Sequence, residues 1–194
     1  TTPSLAVETH SPGEWESATL DTLMVVRFNQ TIDRAKIAAA LRLRGGGKTV
    51  AVESVAPDQW EALAEPWRSQ ATAGIAERTL VLRPTAALEP DTAYTIDIPA
   101  GVYGEGPNPS KPIALKLRTY PPLTLSGPNC TTNYPWDCRP ESGITIAASN
   151  PIVSDPAFDK KVRITPEVPD LKVTVAGGIH LEGKFRGLGT YTIE

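Results

Sequence analysis

The sequence predicts an all-β fold, two tandem antiparallel β-sandwich domains, and three observations carry that expectation. Proline occupies 19 of 194 positions, well above the ~5% usual in globular proteins. Because proline cannot donate to a sheet ladder or sit inside a helix, such a chain is built of short strands joined by turns. Several segments alternate apolar and polar residues with the period of a half-buried strand: TLVLR at 79–83, YTIDI at 94–98 and IALKLRT at 113–119. The chain also repeats itself at a spacing of about 120 residues.

The repeat sets the domain boundaries. LMVVRFNQTIDRAKIAAALRL from Leu23 is aligned without a gap with GITIAASNPIVSDPAFDKKVRI from Gly143, with Asn29 placed on Asn150, Ile37 on Phe158, Leu41 on Val162, Arg42 on Arg163 and Leu43 on Ile164. Farther on, DTAYTID at 91–97 returns as LGTYTIE at 188–194. After Asp97 the first copy continues through IPAGVYGEGPNPSKPIALKLRTY, to which nothing in the second copy corresponds. The expected domains are therefore 1–120 and 121–194, the second incomplete at its C-terminus, less stable, and open along the strand that holds Tyr191 and Ile193.

Each element has its own warrant. Residues 20–28 put Leu23 and Val25 on one face and Met24, Val26 and Phe28 on the other, a strand covered on both sides. Residues 33–41 (DRAKIAAAL) start on a capping aspartate and set Ile37 four before Leu41, which predicts one or two helical turns. GGGK at 45–48 reads as a hairpin turn. Residues 57–77 carry Trp60, Leu63, Ala64 and Trp67 at helical spacing interrupted by Pro66, and have no equivalent in the second copy; they are an insertion in the first domain. Core candidates are Leu80, Leu82, Tyr94, Ile96, Ile98, Leu115 and Leu117, and in the second copy Ile144, Ile146, Val162, Ile164, residues 171–175, Tyr191 and Ile193.

Composition narrows the partners. A net charge of −3 and a pI near 5.5 supply no basic stripe to neutralise phosphates, so no nucleic acid is expected. No run of 18 apolar residues predicts a membrane span, and no leader precedes Thr1, although one can have been removed. Cys130 and Cys138 close the short segment CTTNYPWDC. A disulfide there would stabilise the fold by roughly 2–3 kcal/mol and imply an oxidising compartment; two free thiols, or a metal site, are the alternatives.

No catalytic residue, cofactor or metal site is expected. His10 lies near Glu8, Glu14 and Glu16, but no nucleophile stands in a recognisable setting, and solvated surface is the favoured reading. Trp15, Trp60, Trp67 and Trp136 offer rings for stacking on sugars, against the simpler reading that they fill irregular segments. Asp155, Asp159 and Glu167 are too loosely spaced for a calcium loop. Asn29 and Asn129 match a glycosylation pattern that a bacterial origin would make irrelevant.

The ordered set FNQTID, LEPDTAYTIDIPAGVYGEGPNPSKPIALKLRTYPPL, a cysteine pair followed by ITIAASNPI, VRITPEVPDLKV and GGIHLEGKFRGLGTYTIE resembles the amino-terminal region of bacterial α2-macroglobulins. The run LEPDTAY alone also resembles bacterial Ig-like modules of surface proteins. The macroglobulin resemblance implies seven-stranded macroglobulin-like, Ig-like sandwiches and a periplasmic, lipid-anchored parent that traps proteases through a bait region. It further implies downstream domains of the same chain, proteases and peptidoglycan synthases as partners of the whole protein. The thioester pattern of that family, Cys-x-x-Gln, matches neither Cys130 nor Cys138. The expectation is thus a non-enzymatic scaffold, with a stalk module of a surface protein or adhesin, or a carbohydrate-binding module, as the other readings.

Overall fold

The computed structural model describes residues 3–106, 110–130, 139, 142–152, 157–187 and 189–194. The chain forms two compact units, Thr1–Pro121 and Pro122–Glu194, each an Ig-like β-sandwich.

In the first unit the strands are β1 (Val7–Ser11), β2 (Ser17–Ala18), β3 (Met24–Phe28), β4 (Arg42–Gly45), β5 (Lys48–Val50), β6 (Val52–Ser54), β7 (Thr79–Pro84), β8 (Ala93–Ile98) and β9 (Ile113–Thr119). They form two sheets, ordered β1-β3-β7-β6 and β2-β9-β8-β4-β5. Among the described residues every pairing of this unit is antiparallel except β2 with β9, which departs from the expected all-antiparallel plan. The reason is local: a turn in which the Glu16 N–H donates to the Gly13 carbonyl ends β1, and the chain crosses to the other sheet, where it runs with β9.

β3 and β7 have two apolar faces because each is covered twice. Met24, Val26, Phe28, Leu80 and Leu82 meet Ile37, Leu43, Ile96 and Leu117 between the sheets. On the opposite face Leu23, Val25 and Val81 lie under the insertion, packed with Val55, Trp60, Leu63 and Ala71. Fully burying side chains such as Phe28 or Leu82 stabilises the fold by ~1.5–3 kcal/mol each before entropy is counted. α1 (Arg34–Ala40) begins where the Asp33 side chain accepts the Lys36 backbone N–H at 3.1 Å and buries Ile37. The β4–β5 turn places Gly46 and Gly47 at φ +57° and +74° between the paired Gly45 and Lys48; two residues of positive φ make the tight hairpin expected there.

The insertion is helical and external, as its spacing predicts: a 3-10 turn Pro57–Ala62, α2 (Trp67–Thr72) starting after Pro66, and a second 3-10 turn Ala76–Arg78.

The second unit contains β10 (Leu125–Cys130), β11 (Ile144–Ala148), β12 (Ile164–Thr165), β13 (Lys172–Val175), β14 (Gly178–Glu182) and β15 (Thr192–Ile193), with a 3-10 turn Phe158–Lys161 where the first unit has α1. Its sheets are β10-β11-β14-β13 and the pair β12-β15. Val168, Ile179, Leu181 and Phe185 are its buried apolar centre, and Ile144, Ile146, Val162, Ile164, Tyr191 and Ile193 are only partly buried around them.

The repeat is real in register and corrected by one residue in its first half. β4 pairs Leu43 with Ile96 and Arg44 with Thr95; β12 pairs Ile164 with Ile193 and Thr165 with Thr192, the same steps of the sequence alignment. In the other sheet, however, Met24 pairs with Leu82 and Val26 with Leu80, whereas Ile144 pairs with Leu181 and Ile146 with Ile179. The core-facing partners of Met24 and Val26 are therefore Ile144 and Ile146, not Thr145 and Ala147 as the gapless alignment requires. A one-residue slip turns every side chain of a strand to the wrong face. Asn29 likewise corresponds to Ser149 and not to Asn150. The Asn29 N–H donates to Ala6 O, and its Oδ1 accepts the Ala6 N–H; the Ser149 N–H donates to Thr124 O, and its Oγ accepts the Thr124 N–H. Ile32 and Ile152 then share a position at the core margin, and the extra residue of the second unit falls between Ile152 and Phe158.

Candidate functional site

The residues with chemistry to offer are largely engaged by the fold. Trp60 is buried, its indole N–H donating to the Val55 carbonyl at 3.0 Å. Over its ring, at 5.8 Å from the centroid, sits the Arg34 guanidinium, which also donates to the carbonyls of Thr79 and Ala76. Arg27 donates to the Gln70 carbonyl. Two arginines thus fasten the insertion to β3, α1 and β7. Sequence reading missed both, because a charged residue inside or beside a strand reads as solvent-facing.

Among the described residues the aromatic stacking platform is not assembled. Trp15 stands 94% exposed at the turn after β1, Trp60 is consumed by packing and Trp67 is half-buried on α2. Trp136 lies outside the described residues. His10 has its Nδ1 3.0 Å from the Pro12 carbonyl. Two of its three acidic neighbours in sequence are engaged by other groups: Glu16 accepts the Gly13 N–H at 2.8 Å, and Glu14 is paired with Lys116 at 3.2 Å. A polar recess of about 250 Å³ does bring His10 and Glu16 together with Ser11, Arg27 and Gln70, but the His10 Nδ1 faces the Pro12 carbonyl and not the Ser11 hydroxyl. His180, in β14, is bracketed by Thr145 Oγ at 3.1 Å and the Ala176 carbonyl at 3.0 Å.

Among the described residues no group of three or more His, Cys, Asp or Glu side chains could hold a metal ion, and no helix is long and apolar enough to cross a membrane. Asp155 lies outside the described residues, so the calcium reading is untouched at that position. Cys130 ends β10, half-buried. Cys138 lies outside the described residues, and the bridge between the two remains an expectation.

The shifted carboxylates are surface groups with structural partners. The Lys36 backbone N–H, with the Lys36 ammonium beside it, holds Asp33 below its ordinary pKa. The Ser69 hydroxyl and then Arg68 do the same for Glu65. A hydrogen bond from Lys184 lowers Asp170 and raises Lys184 in return. Caps and exposed ion pairs of this kind hold local geometry; they do not poise a group for proton transfer.

Space is left unfilled around β15 in the second unit. Two cavities of about 420 and 450 Å³ share Pro128, Tyr191 and Ile193 in their walls, with Ile144 and Phe185 in the first and Leu125 and Ile146 in the second. Their lining is mostly apolar, with Asn129, Ser142 and Arg186 in the first and Lys161 and Glu194 in the second.

No curated protein matches the chain. Among solved structures, the chain is similar to the crystal structure of the N-terminal part of the bacterial S-layer protein SbsC, with a TM-score of 0.42 and 13% identity over 98% of this chain. It spans 42% of that structure's chain. Residues 1–116 match the family model of the bacterial Ig-like domain. With that match covering more than half of its length, the chain belongs to the bacterial Ig-like domain family.

Proposed function

We propose that this chain is a structural module of a bacterial surface or envelope protein, an Ig-like spacer or stalk segment that carries other parts of its parent and is not itself an enzyme. The observation that supports this most is the fate of its chemically capable side chains. Trp60, Arg27, Arg34 and Asp33 are spent on fastening and capping, and the tyrosines of the two repeats on corner hydrogen bonds. Membership of the bacterial Ig-like family points the same way, although function has to be argued from sites and not from fold alone. An oxidising location outside the cytoplasm, at the cell surface or in the periplasm, would accommodate a Cys130–Cys138 bridge.

The test is replacement in the parent protein. Exchanging residues 1–194 for two unrelated Ig-like domains of similar length should preserve surface display and the activity of the rest of the parent. Loss of that activity with display intact would overturn the spacer reading in favour of a specific interface on these two units.

A second reading, the amino-terminal arm of a bacterial α2-macroglobulin, is favoured by the ordered motifs that run through both units, from FNQTID to GTYTIE. In that reading the parent is a lipid-anchored periplasmic protease trap, and its downstream domains, proteases and a peptidoglycan synthase are the partners. Reading the parent gene separates the two: a bait region and a complement-like domain beyond Glu194 select the macroglobulin, and further Ig-like repeats ending in an anchor select the stalk.

A further inference from the structure

The turn between β1 and β2 leaves one side chain in solution and places the next in the wall of a recess. The Glu16 N–H donates to the Gly13 carbonyl, the Gly13 N–H donates to Glu16 Oε2 at 2.8 Å, and Glu14 is tied to Lys116 of β9 at 3.2 Å. The turn is braced against itself and against the other sheet. Trp15, within it, is nonetheless 94% exposed. Tryptophan is on average a well-buried residue, and one held in water on a braced turn is the kind of side chain that anchors binding surfaces.

Glu16, the next residue, lines the polar recess of about 250 Å³. The recess lies where α2 faces the β1–β3 pair, in which Thr9 stands opposite Arg27 and Ser11 opposite Val25. Its charges cancel, Arg27 against Glu16, and the remaining polar wall is the Gln70 amide, two hydroxyls and the His10 imidazole. Among the described residues these groups keep unused capacity: His10 bonds through Nδ1 alone, Glu16 through Oε2 alone and Arg27 through Nη2 alone. Deeper in the wall, Arg27 Nε and Gln70 Oε1 are buried without a hydrogen-bond partner. Native folds leave few such atoms, and each calls for an explanation. A small rotation of either side chain toward an occupant would bring its orphaned atom within reach of a partner.

We infer that this recess is a subsite for one ring of a neutral polysaccharide, with Trp15 as its stacking face. The ligand class follows from the chemistry of the wall. Cancelled charge removes the advantage of an anion or a cation. Donors and acceptors interleaved around one small space suit hydroxyl groups, each of which gives one hydrogen bond and accepts two. The exposed indole offers an apolar face to the C–H side of a sugar ring, and Val25 supplies an apolar patch inside the recess. A volume below the ~300–1,000 Å³ of sites for drug-sized ligands admits one ring at a time. The inference goes beyond the spacer role and does not depend on it, since a spacer that lies against a polysaccharide is still a spacer.

The test is a titration of the 194-residue protein with triacetylchitotriose and, separately, with cellotriose, followed by NMR at the Trp15 indole N–H and the Gln70 side-chain amide. Saturable shifts of both signals are expected with at least one of the two sugars, with a dissociation constant of about 1 mM. Trp15→Ala removes a side chain that the fold does not bury and should weaken binding roughly tenfold. Gln70→Ala keeps the Gln70 carbonyl that accepts from Arg27, suits a helix, and should weaken binding roughly fivefold. Full affinity in either variant puts the sugar elsewhere and overturns the assignment. So does the absence of saturable shifts with both sugars up to about 50 mM. Inorganic phosphate that produces the same shifts at equal concentration also overturns it, because the recess would then select charge and not hydroxyl groups.

Discussion

The Tyr94 hydroxyl accepts the backbone N–H of Glu89 at 2.8 Å, closing the corner that leads into β8; Tyr191 does the same for Arg186 at 2.6 Å before β15. The first corner is buried, with Tyr94 at 2% exposure. In the second, Tyr191 is half-buried and rests edge-on against Phe185, ring centroids 5.3 Å apart. Removing the hydroxyl from the part-buried first corner takes the acceptor from the Glu89 N–H, at a cost of about 1–3 kcal/mol. Tyr94→Phe should therefore lower the urea-derived stability of the first unit by that amount. Tyr191→Phe should cost the second unit less, because the Arg186 N–H is exposed and can turn to water. A larger loss at Tyr191 would show that the second corner is the better enclosed of the two.

The insertion is separable from the sandwich only if the apolar face beneath it is dealt with. Replacing residues 57–77 by a short turn uncovers Leu23, Val25 and Val81. We expect poor solubility from the deletion alone, and a cooperative thermal transition when Val25→Thr and Val81→Thr accompany it. Failure of the combined variant to fold would place the insertion within the folding core.

Gly47 sits at φ +74° with open space where a Cβ would stand, so substitution there reports conformational strain alone. Gly47→Ala should destabilise the first unit by about 1–2 kcal/mol, and Gly47→Asn by clearly less, because asparagine tolerates the left-handed region. Equal losses for the two variants in chemical denaturation would point to a hairpin that rearranges.

The Asp170–Lys184 pair, 2.7 Å apart and exposed, predicts a pH signature in the second unit. Asp170 is lowered from 3.8 by Lys184, so its contribution is present above that value and is lost as pH falls through the depressed pKa. Lys184 is raised from 10.5 by Asp170, so its share is complete below 10.5 and lost as pH rises through the raised pKa. Between those limits Asp170→Asn should be slightly less stable than wild type, and asparagine accepts the φ of +57° found there. The difference should close at pH 2 and in 1 M salt. A difference that persists in acid would assign the effect to the turn and not to charge.

Mass spectrometry of unreduced protein should find a linked Cys130–Cys138 peptide and two hydrogens fewer than the reduced mass. Two alkylatable thiols in native, oxidised material would exclude the bridge.

The strands legible in the sequence were those whose buried faces spell a period of two. β7, β8 and β9 carry Leu80, Leu82, Ile96, Ile98, Leu115 and Leu117, all buried. β14 was hidden because it opens on Gly178, a residue placed there by close approach: a Cβ would lie 2.8 Å from the Ile146 carbonyl oxygen. β10 was hidden because Gly127–Pro128 spells a turn, yet the ladder accommodates it in a register shift between Ser126 and Asn129. The one-residue misalignment has a similar origin. Matching Asn29 to Asn150 compared side-chain names, whereas the fold requires only an oxygen that accepts the preceding strand's N–H, and Ser149 supplies it. Of the candidate site, the insertion and its tryptophans were legible from spacing. The anchoring by Arg27 and Arg34 was not, because it depends on carbonyls more than forty residues away.

The parallel pairing of β2 with β9 in the first unit has a mechanical consequence. β2 and β9 run in the same direction, joined at Ser17–Arg118 and Ala18–Thr119 and extended by the Tyr120 N–H to the Ala18 carbonyl at 2.9 Å. Tension applied toward the N-terminus before Ser17 and toward the C-terminus after Tyr120 drags these two segments lengthwise in opposite senses. All of their bonds are then loaded together in shear, where an antiparallel terminal hairpin would unzip one bond at a time. Rupture under pull is governed by the unfolding rate and not by equilibrium stability. A module of ordinary thermodynamic stability can thus resist stretching along its own chain through a patch of two residue pairs.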